Sequence, residues 1–559
     1  MARATFVDGP VPTVRRIERR QWLTLALVLG GSFMTVFDLF VVNVAIPTIQ
    51  RDLHASFAQI QFVIAGYALA YAVTLVTGGR LGDIYGRKRL FMLGMAGFTL
   101  TSALCGLAPG PWPLVVARIL QGLAAAALAP QVLSIIQVTF PPTERGRALA
   151  TFGAVIGFAA TAGQVLGGLL IRANLLGLSW RPVFLVNLPV GVGVLIAARR
   201  LLAESRSATA SRLDLGGVGI LTAGLTLLTF PLVAGREAGW PTWAWLCLLA
   251  AAPVLVGFVA FERAKAARGG SPLVVLRLFR QRAFVAGLLV TLLFNVQSGG
   301  YFLSIALYLQ IGLHFSALEA GLTLGWGAVG FFIAANLSAR LIPRLGSRLV
   351  VCGLALLIVA GLASVAVVLR YLETLPRPLF ALLTAMQGLG AGTTSPPLIG
   401  AALAGIERDD AGAASGVLAT CQQVGSALGV AIIGVVLFGV LAGHAPRVSG
   451  DLAPEFARQL TAVQGGAERA TTVADFRACA DDRARSHDPA ITPASCQQPS
   501  LHGSDPAVAS AVAAFLQRAN ARNYANAYAV SMLTATGFLI VAVVGALCLP
   551  APRGRAARE

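Results

Sequence analysis

Charge is scarce in this chain. Only 12% of its 559 residues are Asp, Glu, Lys or Arg, about half the ~25% usual in soluble domains. Lys88 and Lys265 are the only lysines, and five histidines complete a thin set of titratable groups. Seven cysteines in so long a chain cannot make a disulfide-built fold. No cysteine–histidine grouping has metal-ligand spacing, and no nucleophile stands beside a base. An enzyme is therefore not expected, nor a bound cofactor. Apolar side chains are abundant instead: 56% of residues are hydrophobic and the mean hydropathy is +0.76. Such a chain is a polytopic membrane protein.

Fourteen apolar runs are long enough to cross a bilayer, near 22–46, 58–78, 91–108, 113–138, 149–171, 183–200, 214–234, 243–261, 284–310, 317–338, 349–369, 378–403, 413–441 and 528–549. Arg15, Arg16, Arg19 and Arg20 precede the first run, and no small-residue cleavage site follows promptly. An uncleaved first helix is expected rather than a signal peptide. With the N-terminus in the cytoplasm, 28 basic and 11 acidic residues fall inside, against 14 and 12 outside. That asymmetry predicts cytoplasmic N- and C-termini and an external loop over 442–526. It also accounts for the net charge of +19 as topology, so no nucleic-acid partner is expected.

The chain repeats itself weakly. RLGDIYGRK from Arg80 returns as RLIPRLGSR from Arg340, with Arg80/Arg340, Leu81/Leu341 and Gly86/Gly346 in register and Pro343 in the place of Asp83. Each copy follows the second helix of a six-helix half. The predicted organisation is a cytoplasmic segment 1–21, a bundle 22–200, an inserted helix pair with its linkers 201–282, a second bundle 283–549 and a cytoplasmic tail 550–559.

Three stretches concentrate the polar chemistry. Gly78 to Arg89 reads GGRLGDIYGRKR and sets one acid, Asp83, among Arg80, Arg87, Lys88 and Arg89. A charged knot of this kind is costly in hydrocarbon and predicts a tight loop at a membrane face. Asp83 can face the N-terminus of the following helix or bond Arg87. The first helix holds FDLFVVNVAIP, in which Asp38 is the one acid placed within a predicted span and Asn43 follows it. The fourth holds Arg118, Gln121 and Gly122. At ~1.5 Å per residue, Arg118 and Asp38 both lie roughly 10 Å from the outer face, so the two charges can meet. A structural ion pair and a functional carboxylate are both open to Asp38, and Arg118 can instead snorkel outward.

These stretches together resemble the major facilitator superfamily, and within it the fourteen-helix drug:proton antiporter family. Gly79-x-Leu81-x-Asp83-x-x-Gly86-Arg87-Lys88-Arg89 is similar to that superfamily's loop between helices two and three. The Asp38 string and the Arg118–Gln121–Gly122 string look like its helix 1 and helix 4 motifs. In the fifth helix Gly163, Gly167 and Gly168 match the antiporter motif, and Gln164 stands where that motif has proline. The strings over 180–191 and 271–284 are also similar to this family. The resemblance implies an all-α membrane protein of the major facilitator fold, two six-helix bundles plus two inserted helices, in the cell membrane. It implies proton-coupled efflux of small amphipathic drugs, antibiotics or dyes, cationic ones included, by alternating access. A proton gradient would take the place of any cofactor, the lipid bilayer would be its surroundings, and the chain would act as a monomer. Asp38 would carry the proton, Arg118 would tune it, and Gly79, Asp83, Gly86 and Arg87 would form a cytoplasmic latch. Transport of one dedicated metabolite remains open because of Gln164. A non-transporting sensor that uses the external segment is a third reading.

Asn43, Asn295, Gln297, Tyr301 and Gln422 are the expected cavity residues, since amides and aromatics in an apolar cavity suit flat, lipophilic ligands. Only one of Asn295 and Gln297 can point straight at the cavity. Pro396 and Pro397 are expected to break the hydrogen-bond ladder of the twelfth helix. Cys479 and Cys496 are the only cysteines outside the predicted spans. They are disulfide candidates, with free thiols as the alternative.

Overall fold

The fold is described from a computed structural model over residues 19–55, 57–207, 214–235, 239–270, 272–407, 410–461, 463–485, 492–502 and 505–549. Among these residues the regular structure is helical. The first half comprises α1 (Arg19–Asp52), α2 (Phe57–Tyr85), α3 (Arg87–Gly106), α4 (Pro111–Thr139), α5 (Pro142–Ala173) and a span split into α6 (Pro182–Leu185) and α7 (Asn187–Leu201). Next come α8 (Leu215–Ala234) and α9 (Thr242–Ala267). The second half comprises α10 (Arg282–Leu307), α11 (Ala317–Leu345), α12 (Arg348–Tyr371), α13 (Arg377–Ala402), α14 (Ala411–Leu460), α15 (Gly466–Arg485) and α16 (Pro506–Leu547). Thirteen segments among the described residues are long and apolar enough to cross a membrane. The 26-residue α13, interrupted by small and hydroxyl residues, makes fourteen.

Helix ends follow from local chemistry. Proline opens α4, α5, α13 and α16, where the missing N–H has no intrahelical partner to lose. Asp214 caps α8 by accepting from the Gly217 N–H at 2.8 Å, and Ser316 with Glu319 forms a capping box on α11. Gly86 divides α2 from α3 at φ +111°, and Gly346 divides α11 from α12 at φ +54°. The repeated glycine thus takes a positive φ in both halves, with ψ 133° at Gly86 and −132° at Gly346.

Within the first half α4 packs on α2 and α3, and α5 on α1. Within the second, α13 packs on α11 and α12, and α16 on α10, α12 and α14. The halves meet where α2 lies along α14 and α5 along α11. Helices α8 and α9 pack on each other and rest against α2 through Leu221, Leu225 and Phe258, which share a cluster with Val73 and Val76.

Two expectations need correction. Residues 78–85 are the last turns of α2, not a loop, because their glycines let the helix run on against its neighbours; only Gly86 turns. The described residues of 442–526, expected as an external loop, are largely helical. Helix α14 continues without a break to Leu460 and α16 starts at Pro506. Polarity rises after residue 441 while good helix formers continue, so the apolar run ends before the helix does. With α15 these extensions form a cap whose core joins Phe456, Phe476 and Phe515. Pro396 and Pro397 interrupt the ladder of α13 as expected, and the helix stays continuous around them. The flanking turns keep their bonds and hold the helix together around two missing donors.

Candidate functional site

Asp38 sits inside the first half with none of its surface exposed. Its Oδ2 accepts from Arg118 Nη1, and its Oδ1 accepts from Gln121 Nε2 at 3.0 Å and from Asn187 Nδ2 at 3.1 Å. Arg118 is itself 1% exposed. Its Nη1 also donates to Gln121 Oε1 at 2.8 Å, and its Nε to the Val63 carbonyl at 3.2 Å. The guanidinium lies 4.2 Å over the Tyr67 ring. Asn187 is steadied by a second bond, to Ser102 Oγ at 3.0 Å. Helices α1, α2, α3, α4 and α7 therefore converge on one carboxylate.

Local sequence makes that convergence possible. Gly122 lets α4 lie directly on the Tyr67 backbone of α2, where any side chain would overlap the carbonyl. On the opposite side of α1, Gly163 and Gly167 of α5 abut the Phe37 carbonyl and the Val41 side chain, and Gly168 approaches Val44. Smooth faces of this kind pack helices closely. The side chains of Asn43 and Gln164 lie outside the described residues.

A buried ion pair with every lone pair satisfied persists, but loss of one partner strands the other at a cost of about 3–5 kcal/mol. Protonating Asp38 would remove one charge in this way and weaken the bonds from its three donors, so a change of charge there bears on α4 and α7 together. Sequence reasoning placed Asp38, Arg118, Gln121 and Gly122 here, and the structure brings all four together. It missed Asn187, Tyr67 and Ser102. Asn187 was visible as an amide in an apolar span, a signal worth following in a membrane helix.

The second polar cluster lies at the α2–α3 turn. Asp83 is fully buried, with Oδ1 accepting from Arg87 Nη2 at 2.7 Å. Its Oδ2 accepts from the Ala413 N–H at 3.0 Å. Asp83 thus faces the N-terminus of α14, across the halves, rather than that of α3. Gly79 packs on the Gly412 backbone, and Gly412 abuts the Asp83 carboxylate. The Asp83 carbonyl accepts from Ser207 N at 2.9 Å, and Arg87 N donates to the Ser205 carbonyl at 2.8 Å. Glu204 accepts from the Lys88 and Arg89 amides. The end of α2, the start of α3 and the chain after α7 are thereby tied to α14. Nearby, Arg277 bonds both Asp410 and Glu407 just before α14. Those carboxylates, Asp410 first, raise its affinity for the proton further.

The expected cavity residues do not converge in the same way. Asn295 is half-buried and donates to the Thr291 carbonyl of its own helix at 2.8 Å. Gln297 and Tyr301 are buried, and Tyr301 packs in the second half's core with Phe380 and Tyr528. Gln422 is half-buried; its neighbour Gln423 hydrogen-bonds Tyr71 across the halves. Cys479 and Cys496 are joined within the cap, their Cα atoms 4.6 Å apart.

Asp214, at the head of α8, is held below the usual carboxylate range. Burial works against this, but the Gly217 N–H and Lys265 outweigh it.

Residues 28–430 match the family model of the Major Facilitator Superfamily. The "Probable actinorhodin transporter" of Streptomyces coelicolor is 40% identical over 97% of this chain and 93% of its own length. The "Puromycin resistance protein pur8" of Streptomyces alboniger is 38% identical over 78% of this chain and 84% of its own. The "Tetracenomycin C resistance and export protein" of Streptomyces glaucescens is 32% identical over 82% of each. Among solved structures, the human organic anion transporter MFSD10 superposes with a TM-score of 0.53 at 17% identity, over 74% of this chain and 93% of its own; that likeness speaks to fold alone. The chain is an integral membrane protein and belongs to the Major Facilitator Superfamily.

Proposed function

We propose that this protein exports antibiotic-like small molecules across the cell membrane in exchange for protons, with Asp38 as the proton carrier. The carrying observation is the buried Asp38–Arg118 pair, held by amides from α4 and α7. Similarity over nearly the whole chain to a transporter named for one antibiotic, and to two antibiotic resistance proteins, supports the substrate class.

In the proposed cycle a cationic or amphipathic substrate favours the ionised carboxylate, and a proton arriving from outside favours substrate release. The Asp83–Ala413 contact holds the cytoplasmic end closed in one state, since it bonds α2 to α14 across the halves. Both termini face the cytoplasm in this reading, and the 442–526 cap stands outside, as the arginine distribution favours. One chain supplies both halves, so a monomer suffices.

The test is efflux in a host lacking its own pumps, across a panel containing ethidium, puromycin and several polyketide antibiotics. Export of at least one compound, abolished by a protonophore and by Asp38→Asn, is expected. Undiminished export by Asp38→Asn would overturn the proton assignment. Indifference to the whole panel, from protein shown to be folded and in the membrane, would overturn the substrate class.

A further inference from the structure

The second half contains a copy of the Asp38 site without its charges. Gln121-Gly122-Leu123 of α4 recurs as Gln387-Gly388-Leu389 of α13, and Pro130 recurs as Pro396, at one constant offset. The packing repeats too. Gly122 lies on the Tyr67 backbone of α2, and Gly388 lies on the Gly327 backbone of α11. Ser102 bonds Asn187 at 3.0 Å, and Ser364 bonds Tyr528 at 3.1 Å, each joining the third helix of a half to its sixth.

The same register identifies what replaced the ion pair. At the α4–α13 offset, Arg118 corresponds to Thr384. Gly163 abuts the Phe37 carbonyl and Phe40 Cβ, while Gly425 abuts the Leu292 carbonyl and Asn295 Cβ. Phe37 therefore matches Leu292, and Asp38 matches Leu293. Thr384 turns its hydroxyl to the Thr323 and Ala381 carbonyls. Gln387 keeps the place of Gln121 but has lost both groups it would bond. It is 5% exposed, and neither amide atom has a protein partner.

We infer that the protein exchanges one proton for each molecule transported, because only one of its two equivalent sites can hold a charge. The inference rests on the proton-coupled reading above. The titratable and charged groups facing Asp38 are Arg118 from α4, Tyr67 from α2 and Cys105 from α3. Of these Arg118 stays protonated throughout. Tyr67 and Cys105 are neutral acids with high ordinary pKa values. Asp38 is thus the group of this site that changes charge. Among the described residues of the first half Asp83 is the other buried acid; it is bonded at the latch, and Pro343 stands at its repeat position. Per cycle one proton enters and one molecule leaves. For a monovalent cation no net charge moves; for a neutral molecule one positive charge moves inward.

The experiment uses the full chain in liposomes with ethidium, a monovalent cation, and reads the gradient at which net flux stops. One proton per cation predicts a tenfold ethidium gradient per pH unit. It also predicts no added gradient from an imposed membrane potential, and an unchanged ratio in Asp83→Asn. Two protons predict a hundredfold gradient per pH unit, plus roughly 40- to 50-fold more per 100 mV, and would overturn the inference while leaving proton coupling intact. An ethidium flux wholly insensitive to the pH gradient would overturn the proton-coupled reading itself, and this inference with it.

Discussion

Gly412→Ala perturbs the latch without replacing any charged residue. Gly412 is the second residue of α14, and a Cβ there would overlap both Asp83 oxygens and Cγ. Ordinary contact requires ~3.5–4 Å, so the carboxylate must retreat by on the order of 1 Å. Arg87 is on the same helix as the turn and can follow, keeping the 2.7 Å ion pair. The Ala413 N–H cannot follow, because α14 is pinned below it where Gly416 lies on the Leu75 and Val76 backbone. The 3.0 Å bond across the halves is then lost. A hydrogen bond to a charged group is worth about 1.5–3 kcal/mol. On the proposed latch reading, in which the bond is made only in the closed state, the closed form should lose population relative to the open one by roughly 10- to 150-fold. Spin labels at Arg89 and Arg344, exposed residues of opposite halves at this end, report the two populations as two distances. The expected result is a shift toward the longer distance, with slower transport and nearly unchanged thermal stability. Gly416→Ala meets looser contacts, 3.2 Å and beyond, and should shift the distances much less. An unchanged distance distribution in Gly412→Ala would refute the idea that the Asp83–α14 bond holds this state.

Arg118→Lys keeps the charge but cannot hold Asp38, Gln121 and the Val63 carbonyl at once; transport should fall at least about tenfold, the worth of one bond to a charged group, and its pH profile should shift. Removing both cap cysteines, Cys479→Ala with Cys496→Ala, should lower the cap's stability by about 3 kcal/mol for a short closed loop, read as earlier protease cutting of 442–526, with transport rates retained. Reporter fusions at Gly465 and Ala557 should give opposite signals; matching signals would refute the topology proposed from the arginine distribution.

How far the sequence spoke depended on whether a feature was a property of one stretch or of a meeting between stretches. The fourteen spans were legible because hydrophobic length is local, and the Asp38–Arg118 contact was legible because helix rise fixes depth. The latch's partner was not legible. Asp83 and Arg87 are four apart and announce each other, but Ala413 contributes only a backbone N–H, and Gly412 only the lack of a side chain. The cap was misread as a loop because a helix leaving a membrane changes composition without changing conformation. The cavity candidates do not gather into one cluster for a related reason. Polarity in α10 pointed to a ligand, yet Asn295 satisfies itself on its own helix, and Gln297 and Tyr301 are buried. In a membrane helix a polar side chain must find some partner, and the nearest is often the carbonyl one turn back. What separates Asp38 from these is that its partners come from other helices, so its charge cannot change without moving them. The mark that sets the proposed proton carrier apart is therefore the number of helices it joins, which residue type alone does not encode.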